Sequence, residues 1–311
     1  MSISRGLIAR TAIVDTTPPN TLRCLPGSFL LTGEEMTPIA GYTMQAGAGA
    51  FAFAGQSATL TPPAVTSDAA TTTWVNAVIA DGGTVSGAQQ SRVNTLIVAL
   101  KTANIWTKFD RIWLLASENT NQAFIDLRNT QKWLVLAGTP TFVVNRGVTR
   151  PGAGTNTFST GFIPSAGGQQ YASTSAHFGA YVTAGAAANS AAMGCNDANY
   201  SYFELSGTTL DCDINGNGFP SYANTFMTGR FVISRTGANT MAGYRNGGLL
   251  GGSSHASGAL STKAFHMFEV NTLGHSSTMT LGAVHIGAGL NSTEVAAFDA
   301  AMAAYQTAIG N

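Results

Sequence analysis

Charge is scarce in this sequence. Of 311 residues, 15 are Lys or Arg and 15 are Asp or Glu, so charged residues make up 10% of the chain and the formal net charge is zero. An ordinary soluble domain carries about 25%. The balance removes the electrostatic argument for nucleic acid or an anionic membrane as the main partner. It leaves a nearly neutral surface that resists association poorly and suits a place inside an assembly. Cysteine is scarce too: Cys24, Cys195 and Cys212 are too few and too scattered for a disulfide scaffold or a zinc site. Long apolar runs are missing. The longest stretch without a polar side chain, Ala46 to Gly55, is far short of a transmembrane span. Arg5 and Arg10 interrupt every apolar stretch between Met1 and Asp15, so no signal-peptide core forms there. These absences predict a chain made and folded in the cytosol, without a membrane partner.

The sequence is rich in small residues and turn formers. Hydrophobic residues are 44% of the chain and Gly numbers 36, which argues for a folded protein of short strands and many turns rather than disorder. In the first sixty or so residues, Gly27-Ser-Phe-Leu-Leu-Thr-Gly33 is echoed at an offset of 22 by Gly49-Ala-Phe-Ala-Phe-Ala-Gly55. Each copy reads as a glycine-bracketed strand, Ser28–Leu31 and Ala50–Phe53, and the second extends to Thr61 before Pro62-Pro63 stops it. A sheet this small needs another surface to cover it, in the same chain or on a neighbouring subunit.

A Thr/Ala/Ser linker, Ala64 to Thr73, precedes helix at Trp74–Ala80. Ser86-x-x-Gln89 reads as a capping box opening a helix over Ser86–Ala103, with Val93, Leu96, Ile97 and Leu100 as its buried stripe. From Ile105 onward, short strands recur at roughly 8–12-residue spacing with turn chemistry between them. The predicted strands are Arg111–Ala116, Thr141–Val144, Ser175–Thr183, Ser190–Cys195, Tyr200–Leu205, Thr209–Ile214, Arg230–Arg235, Thr240–Tyr244, His266–Val270 and Thr280–Ile286, with a helical turn or two over Asn121–Leu127. A closing helix is capped by Asn291 or Ser292, buries Val295, Phe298, Met302, Tyr305 and Ile309, and stops at Gly310.

Several segments taken in order resemble a known class of proteins. Gly49 to Leu60 resembles a motif near the start of many tailed-phage and prophage structural proteins. Asp81 to Gln90, Leu96 to Leu100 and Trp106 to Leu115 look like the helix-plus-strand entry into a phage virion domain of the concanavalin A-like, laminin-G-like jelly-roll type. Phe142 to Gly147 with Asn156 to Pro164, then Phe231 to Thr236 with Tyr244-Arg-Asn-Gly247, and finally the closing helix fit the remainder. The resemblance covers the chain from about residue 25 onward and implies a mainly β fold, an antiparallel jelly-roll sandwich of two sheets. The expected organisation is an N-terminal β docking segment over 1–62, a linker and amphipathic helix over 63–104, and a jelly roll with its C-terminal helix over 105–311. The function implied is that of a virion structural protein. It would dock through its N-terminal segment on other virion proteins and on copies of itself. The alternative is a lectin-like tail-fibre or tail-tip protein that recognises host surface glycan. Its location is then the virion, after synthesis in the host cytoplasm.

No enzyme signature is present. A sheet-borne pair of catalytic carboxylates would stand at i and i+2 or i and i+4 on one strand. Glu204 and Glu269 each stand alone, and Asp211 and Asp213, though correctly spaced, run into a glycine-rich turn. There is no Gly-x-Ser-x-Gly elbow, His-Glu-x-x-His or phosphate loop, and the five histidines are dispersed. The sharpest local pattern is Asp211-Cys-Asp213-Ile-Asn215-Gly216, the first half of a calcium loop. Asp211, Asp213 and Asn215 are therefore candidate ligands for a divalent cation, calcium by family analogy. Tyr222 stands where a bidentate glutamate belongs, and the same run also reads as an Asx-rich turn. No other cofactor is expected. Tyr200 and Tyr202 alternate onto one face of their strand and Phe203 onto the other, so Phe203 is core and the tyrosines are core or binding face. Cys195 and Cys212 lie on strands flanking Tyr200–Leu205; in a simple meander they are about 9–10 Å apart, too far to bridge. Cys24, just ahead of the docking strands, reads either as a buried inert thiol or as one that cross-links neighbouring subunits once a released particle meets oxidising conditions.

Overall fold

A computed structural model describes residues 67–150, 157–185, 189–270 and 278–310, with two short strands at 21–22 and 43–44. The chain divides into two compact units, Met1–Val65 and Thr66–Asn311. In the first, β1 (Thr21–Leu22) pairs in parallel with β2 (Thr43–Met44). The glycine-bracketed strands expected at Ser28–Leu31 and Ala50–Phe53, and Cys24, lie outside the described residues.

The second unit opens with α1 (Ala69–Ala80) and α2 (Gly87–Thr102), then β3 (Phe109–Trp113) and a short α3 (Thr120–Phe124). The strands that follow are β4 (Leu134–Ala137), β5 (Thr141–Val143), β6 (Gly147–Thr149), β7 (Thr157–Ser159), β8 (Ala176–Ala184), β9 (Ser190–Asn196) and β10 (Tyr200–Leu205). Then come β11 (Thr209–Gly216), β12 (Ser221–Ala223), β13 (Gly229–Gly237), β14 (Thr240–Arg245), β15 (Gly248–Ser253), β16 (His266–Met267) and β17 (Thr280–Gly287), and α4 (Ser292–Ala308) closes the fold. One seven-stranded sheet has the order β12-β11-β10-β9-β16-β7-β4; the other runs β15-β14-β13-β8-β17-β6-β5, with β3 on β17 as its eighth strand. Pairing between strands of both sheets is antiparallel throughout. This is an antiparallel jelly-roll sandwich of the concanavalin A-like type with a C-terminal helix. No helix among the described residues is long and apolar enough to cross a membrane.

Alternation explains the layers. Phe178, Phe231, Ile233, Val284 and Ile286 from one sheet meet Met193, Phe203, Leu205, Cys212 and Ile214 from the other in the core between them. The opposite face of the eight-stranded sheet, with Val232, Tyr244 and Ala283, is apolar as well, and α1, α2 and α4 cover it. The helices are thus a third layer packed on the sandwich. Ser86 caps α2 by accepting the Gln89 N–H at 3.0 Å, as expected. The reciprocal half of the box goes elsewhere: Glu118 accepts the Ser86 N–H, and the Gln89 amide donates to Tyr305 Oη at 2.7 Å. α1 starts five residues earlier than its apolar stretch because Asp68 caps it, accepting the Ala70 N–H. At α4 both halves of the capping box form between Asn291 and Glu294. Asn246 and Gly247, at φ 49° and 76°, make the two-residue turn between β14 and β15, a backbone shape that favours this Asn-Gly pair.

Candidate functional site

The outward face of the seven-stranded sheet is polar and aromatic. Cross-strand register lays its side chains out in rows. One row runs Ser159, His266, Gly194, Tyr202, Asp213 across β7, β16, β9, β10 and β11. A second runs Ala191, Glu204, Asp211, Ser221 across β9 to β12, and a third holds Asn196, Tyr200 and Gly216. Residues in one row of an antiparallel sheet share a face with neighbouring Cβ atoms about 5 Å apart. The inward alternates, Phe203, Cys212 and Met267, lie in the core.

Aromatic rings gather at the centre. Tyr200, Tyr202 and Phe219 are mutual neighbours, with centroids 6.3, 5.2 and 5.9 Å apart. Tyr202 is the floor, packed on Ala191 and Val270. Tyr200 is half-buried, and Phe219, on the β11–β12 connection, is 60% exposed. Gly194 lets Tyr202 and Val270 pack down on β9, since a Cβ there would lie 2.6 Å from that of Tyr202.

Two histidine–carboxylate pairs flank the rings. On one side His266 Nδ1 lies 2.8 Å from Glu269 Oε1, and Glu269 Oε2 lies 3.3 Å from buried Arg150. On the other, His255 Nε2 lies 3.2 Å from Asp213 Oδ2. Asp213 is fully buried, and burial pushes its carboxyl above the ordinary range against the opposing pull of His255, the Ile214 N–H, Arg235 and the Gly218 N–H. Arg235, also fully buried, ties the site to the second sheet: Nε donates to Ile214 O and Nη1 to Ala238 O and His255 O. Gly216 and Gly218 let His255 lie down on Asp213, because a Cβ on either would come within 2.5 Å of its ring. From His266 to Asp213 is three strand spacings, about 14 Å.

The Asp-x-Asp-x-Asn-Gly run lies wholly within β11 and does not bring its three candidate ligands together. Asp211 and Asp213 face outward, but Asn215 is the extra residue of a β-bulge at φ 50° and turns inward. There its Oδ1 accepts bonds from Tyr171 Oη and Ser201 Oγ, and its amide donates toward Ala172 O and Ser173 O. Asp211 is held by Ser221 Oγ, and both oxygens of Asp213 are engaged as described. No group of three or more His, Cys, Asp or Glu side chains among the described residues is arranged to hold a metal ion. The residues present do not fit a calcium ion.

Single-strand spacing hid two features of this face. Glu204 stands alone on β10 but directly opposite Asp211, and His255 comes to Asp213 from a distant loop. Phe219 carried one signal, a large aromatic inside a glycine-rich turn with no apolar pattern around it. Cys195 and Cys212 are buried free thiols on β9 and β11, with β10 between them as a meander requires. Burial raises both thiols above the ordinary range.

No protein-family model and no curated protein sequence matches the chain. Among solved structures, a mutant Trypanosoma rangeli sialidase displaying trans-sialidase activity is similar with TM-score 0.48 and 13% identity, over 70% of this chain and 40% of that one. Domain 4 of AbnA, a GH43 extracellular arabinanase from Geobacillus stearothermophilus in complex with arabinotriose, gives 0.42 and 12% over 61% of this chain and 99% of that domain. The botulinum neurotoxin serotype D binding domain gives 0.45 and 10% over 62% and 51%. The chain spans two-fifths of the sialidase's length. Likenesses at this level assign no site and no activity.

Proposed function

We propose that this chain is a glycan-binding β-sandwich that holds a neutral or amino sugar on the outward face of its seven-stranded sheet and does not cleave it. The observation that carries the reading is the Tyr200–Tyr202–Phe219 cluster, with Phe219 60% exposed beside polar groups. The C–H face of a pyranose is apolar and gains by lying on such rings, while its hydroxyls reach Asp211, His255 and the Tyr200 phenol. Glu204 and Asp211 lie opposite one another on this face, so a sugar bearing its own carboxylate is disfavoured beside them. The reading of binding without hydrolysis rests on burial: Glu204 is only 7% exposed and Asp213 fully covered, so neither is open to a scissile bond. Binding of neutral and amino oligosaccharides by the full chain tests this. Phe219→Ala is expected to weaken binding about tenfold with the melting temperature unchanged, since truncating an exposed ring opens no cavity. Equal binding by Phe219→Ala, or no binding to any such glycan, overturns the reading.

The setting we propose is a tailed-phage particle, with the first 62 residues docking on other virion proteins or on copies of this chain. What supports it is the ordered resemblance from Gly49 to the closing helix and the 10% charge content. A chain lacking residues 1–62 is expected to stay soluble and fail to enter particles; normal incorporation counts against the docking role.

A further inference from the structure

A second concavity lies away from the aromatic face, between β3 and the loop that follows Phe162. It is a cleft of about 330 Å³, bounded by Asp110, Arg111, Arg128, Asn129 and the Gly167–Gln170 loop, which is room for one sugar unit. Its lining holds two arginines. Arg128 lies over the Trp106 ring, 4.7 Å from its centroid, and its Nε donates to Phe109 O at 2.8 Å. Its two terminal nitrogens make no hydrogen bond among the described residues. Arg111 Nη1 donates to Asp110 O, and its buried Nε has no hydrogen-bond partner. The terminal fork of Arg128 is therefore anchored and unused, while Arg111 beside it turns its buried Nε toward Asp126 and has Nη1 engaged.

Two acids, Asp110 and Asp126, stand near these guanidinium groups, and neither hydrogen-bonds to the terminal nitrogens of Arg128. Asp110 is fully engaged in holding the loop: one oxygen accepts the Gln170 N–H and the other the Tyr171 N–H, both at 2.8 Å. Asp126 sits behind the cleft, fully buried, with Oδ1 accepting the Ile112 and Arg128 N–H groups and Oδ2 lying 3.8 Å from Arg111 Nε. Burial pushes the Asp126 carboxyl up to about 7, so at neutral pH its charge is only partly present. On the loop side Gln169 Oε1 has no partner, and nothing lies within 4 Å of the Cβ positions of Gly167 and Gly168. The wall opposite the guanidinium groups is open backbone.

We infer that this cleft is a second binding site, which takes the carboxylate or sulfate group of an acidic saccharide through the guanidinium groups of Arg128 and Arg111. Planar forks pair two-to-two with an oxyanion, and the Trp106 ring fixes the plane of the Arg128 fork in advance. The site is independent of the aromatic face. With both in place, the chain reads a neutral and an acidic sugar unit at separate positions.

Titration of the full chain with trigalacturonate, a neutral trisaccharide, sodium sulfate and inorganic phosphate at constant ionic strength tests this. Trigalacturonate is expected to bind, and the neutral trisaccharide is expected not to compete with it. Arg128→Gln should weaken trigalacturonate binding by about tenfold or more, as loss of charge-assisted bonds predicts. Arg128→Lys should weaken it too, because a point charge cannot replace the fork. Gln169→Glu brings a repelling carboxylate to the loop, gives up the amide's hydrogen bond to Ile163 O, and should act in the same direction. Phe219→Ala should leave it unchanged, so failure of the aromatic reading and failure of this one are separable. No trigalacturonate binding, binding equal in Arg128→Gln and Gln169→Glu to that of the parent chain, or binding of the inorganic ions alone overturns the proposal.

Discussion

Buried titratable groups set opposing pH trends in this protein. His177 and His285 are both buried, with ring centroids 5.2 Å apart against Phe109. Burial holds His177 down at about 4, and burial with the neighbouring His177 holds His285 well below 6.5. In the unfolded chain both take a proton near pH 6.5, roughly. Acid therefore favours the unfolded state, and this pair removes stability as pH falls from about 6.5 toward 4. Asp126 acts in the other direction. Its folded carboxyl keeps its proton up to about 7, whereas an unfolded aspartate loses it near 3.9, roughly, so Asp126 removes stability as pH rises between those values. In the parent chain Asp126 opposes the histidine trend only in part, one group against two. Asp126→Asn keeps an acceptor for the Ile112 and Arg128 N–H groups and removes the carboxyl, so it is expected to expose the histidine loss. Its melting temperature should fall more steeply between about pH 6.5 and 4.5 than that of the parent, because the two histidines then lose stability with no opposing carboxyl at position 126. Superimposable profiles would show that Asp126 does not titrate in this range. The bulge at Asn215 leads to a second expectation. With that side chain turned inward, millimolar calcium should leave the melting temperature unchanged, because no group among the described residues is arranged to hold the ion and shift the equilibrium.

At the scale of elements, one phenol joins two helices to the segment that follows β3. Tyr305 on α4 accepts from Gln89 of α2 at 2.7 Å and donates to Ala116 O, beyond β3, at 3.0 Å, all of it buried. Tyr305→Phe leaves a buried amide and a buried carbonyl unpaired at once, and a loss of about 1–3 kcal/mol in urea unfolding is expected. A change near zero would mean water replaces the hydroxyl. Elements with strong local signals were legible in the sequence: Tyr200–Leu205 is a strand end to end as predicted, and Val93, Leu96, Ile97 and Leu100 are the buried stripe of α2. Strands held by context were not. Gly248–Ser253 has no alternation to read and exists because β14 pairs with it across the Asn246–Gly247 turn. The run of threonines at the start of α1 reads as linker until Asp68 supplies the cap. The same limit governs the site. Alternation assigned Tyr200 and Tyr202 to one face, but the Glu204–Asp211 pair and the arrival of His255 depend on cross-strand register and a long loop, which residue spacing along one strand does not contain.

At the scale of the molecule, Thr66–Asn311 holds both the core between its sheets and the core beneath its helices. A chain beginning at Thr66 is expected to fold alone, with a single cooperative transition and a melting temperature within a few degrees of the full chain. A broad, early transition would show that the first 65 residues complete the fold. The strand order has a further consequence, for the moment of synthesis. β17 is the last strand made, yet it lies in the interior of its sheet, with β8 along one edge and both β3 and β6 along the other. Until residue 287 has left the ribosome, β8 lacks the neighbour that joins it to β3 and β6. The growing chain therefore carries exposed strand edges through most of its translation. A ribosome stalled before β17 would present them to every other nascent copy on the same message.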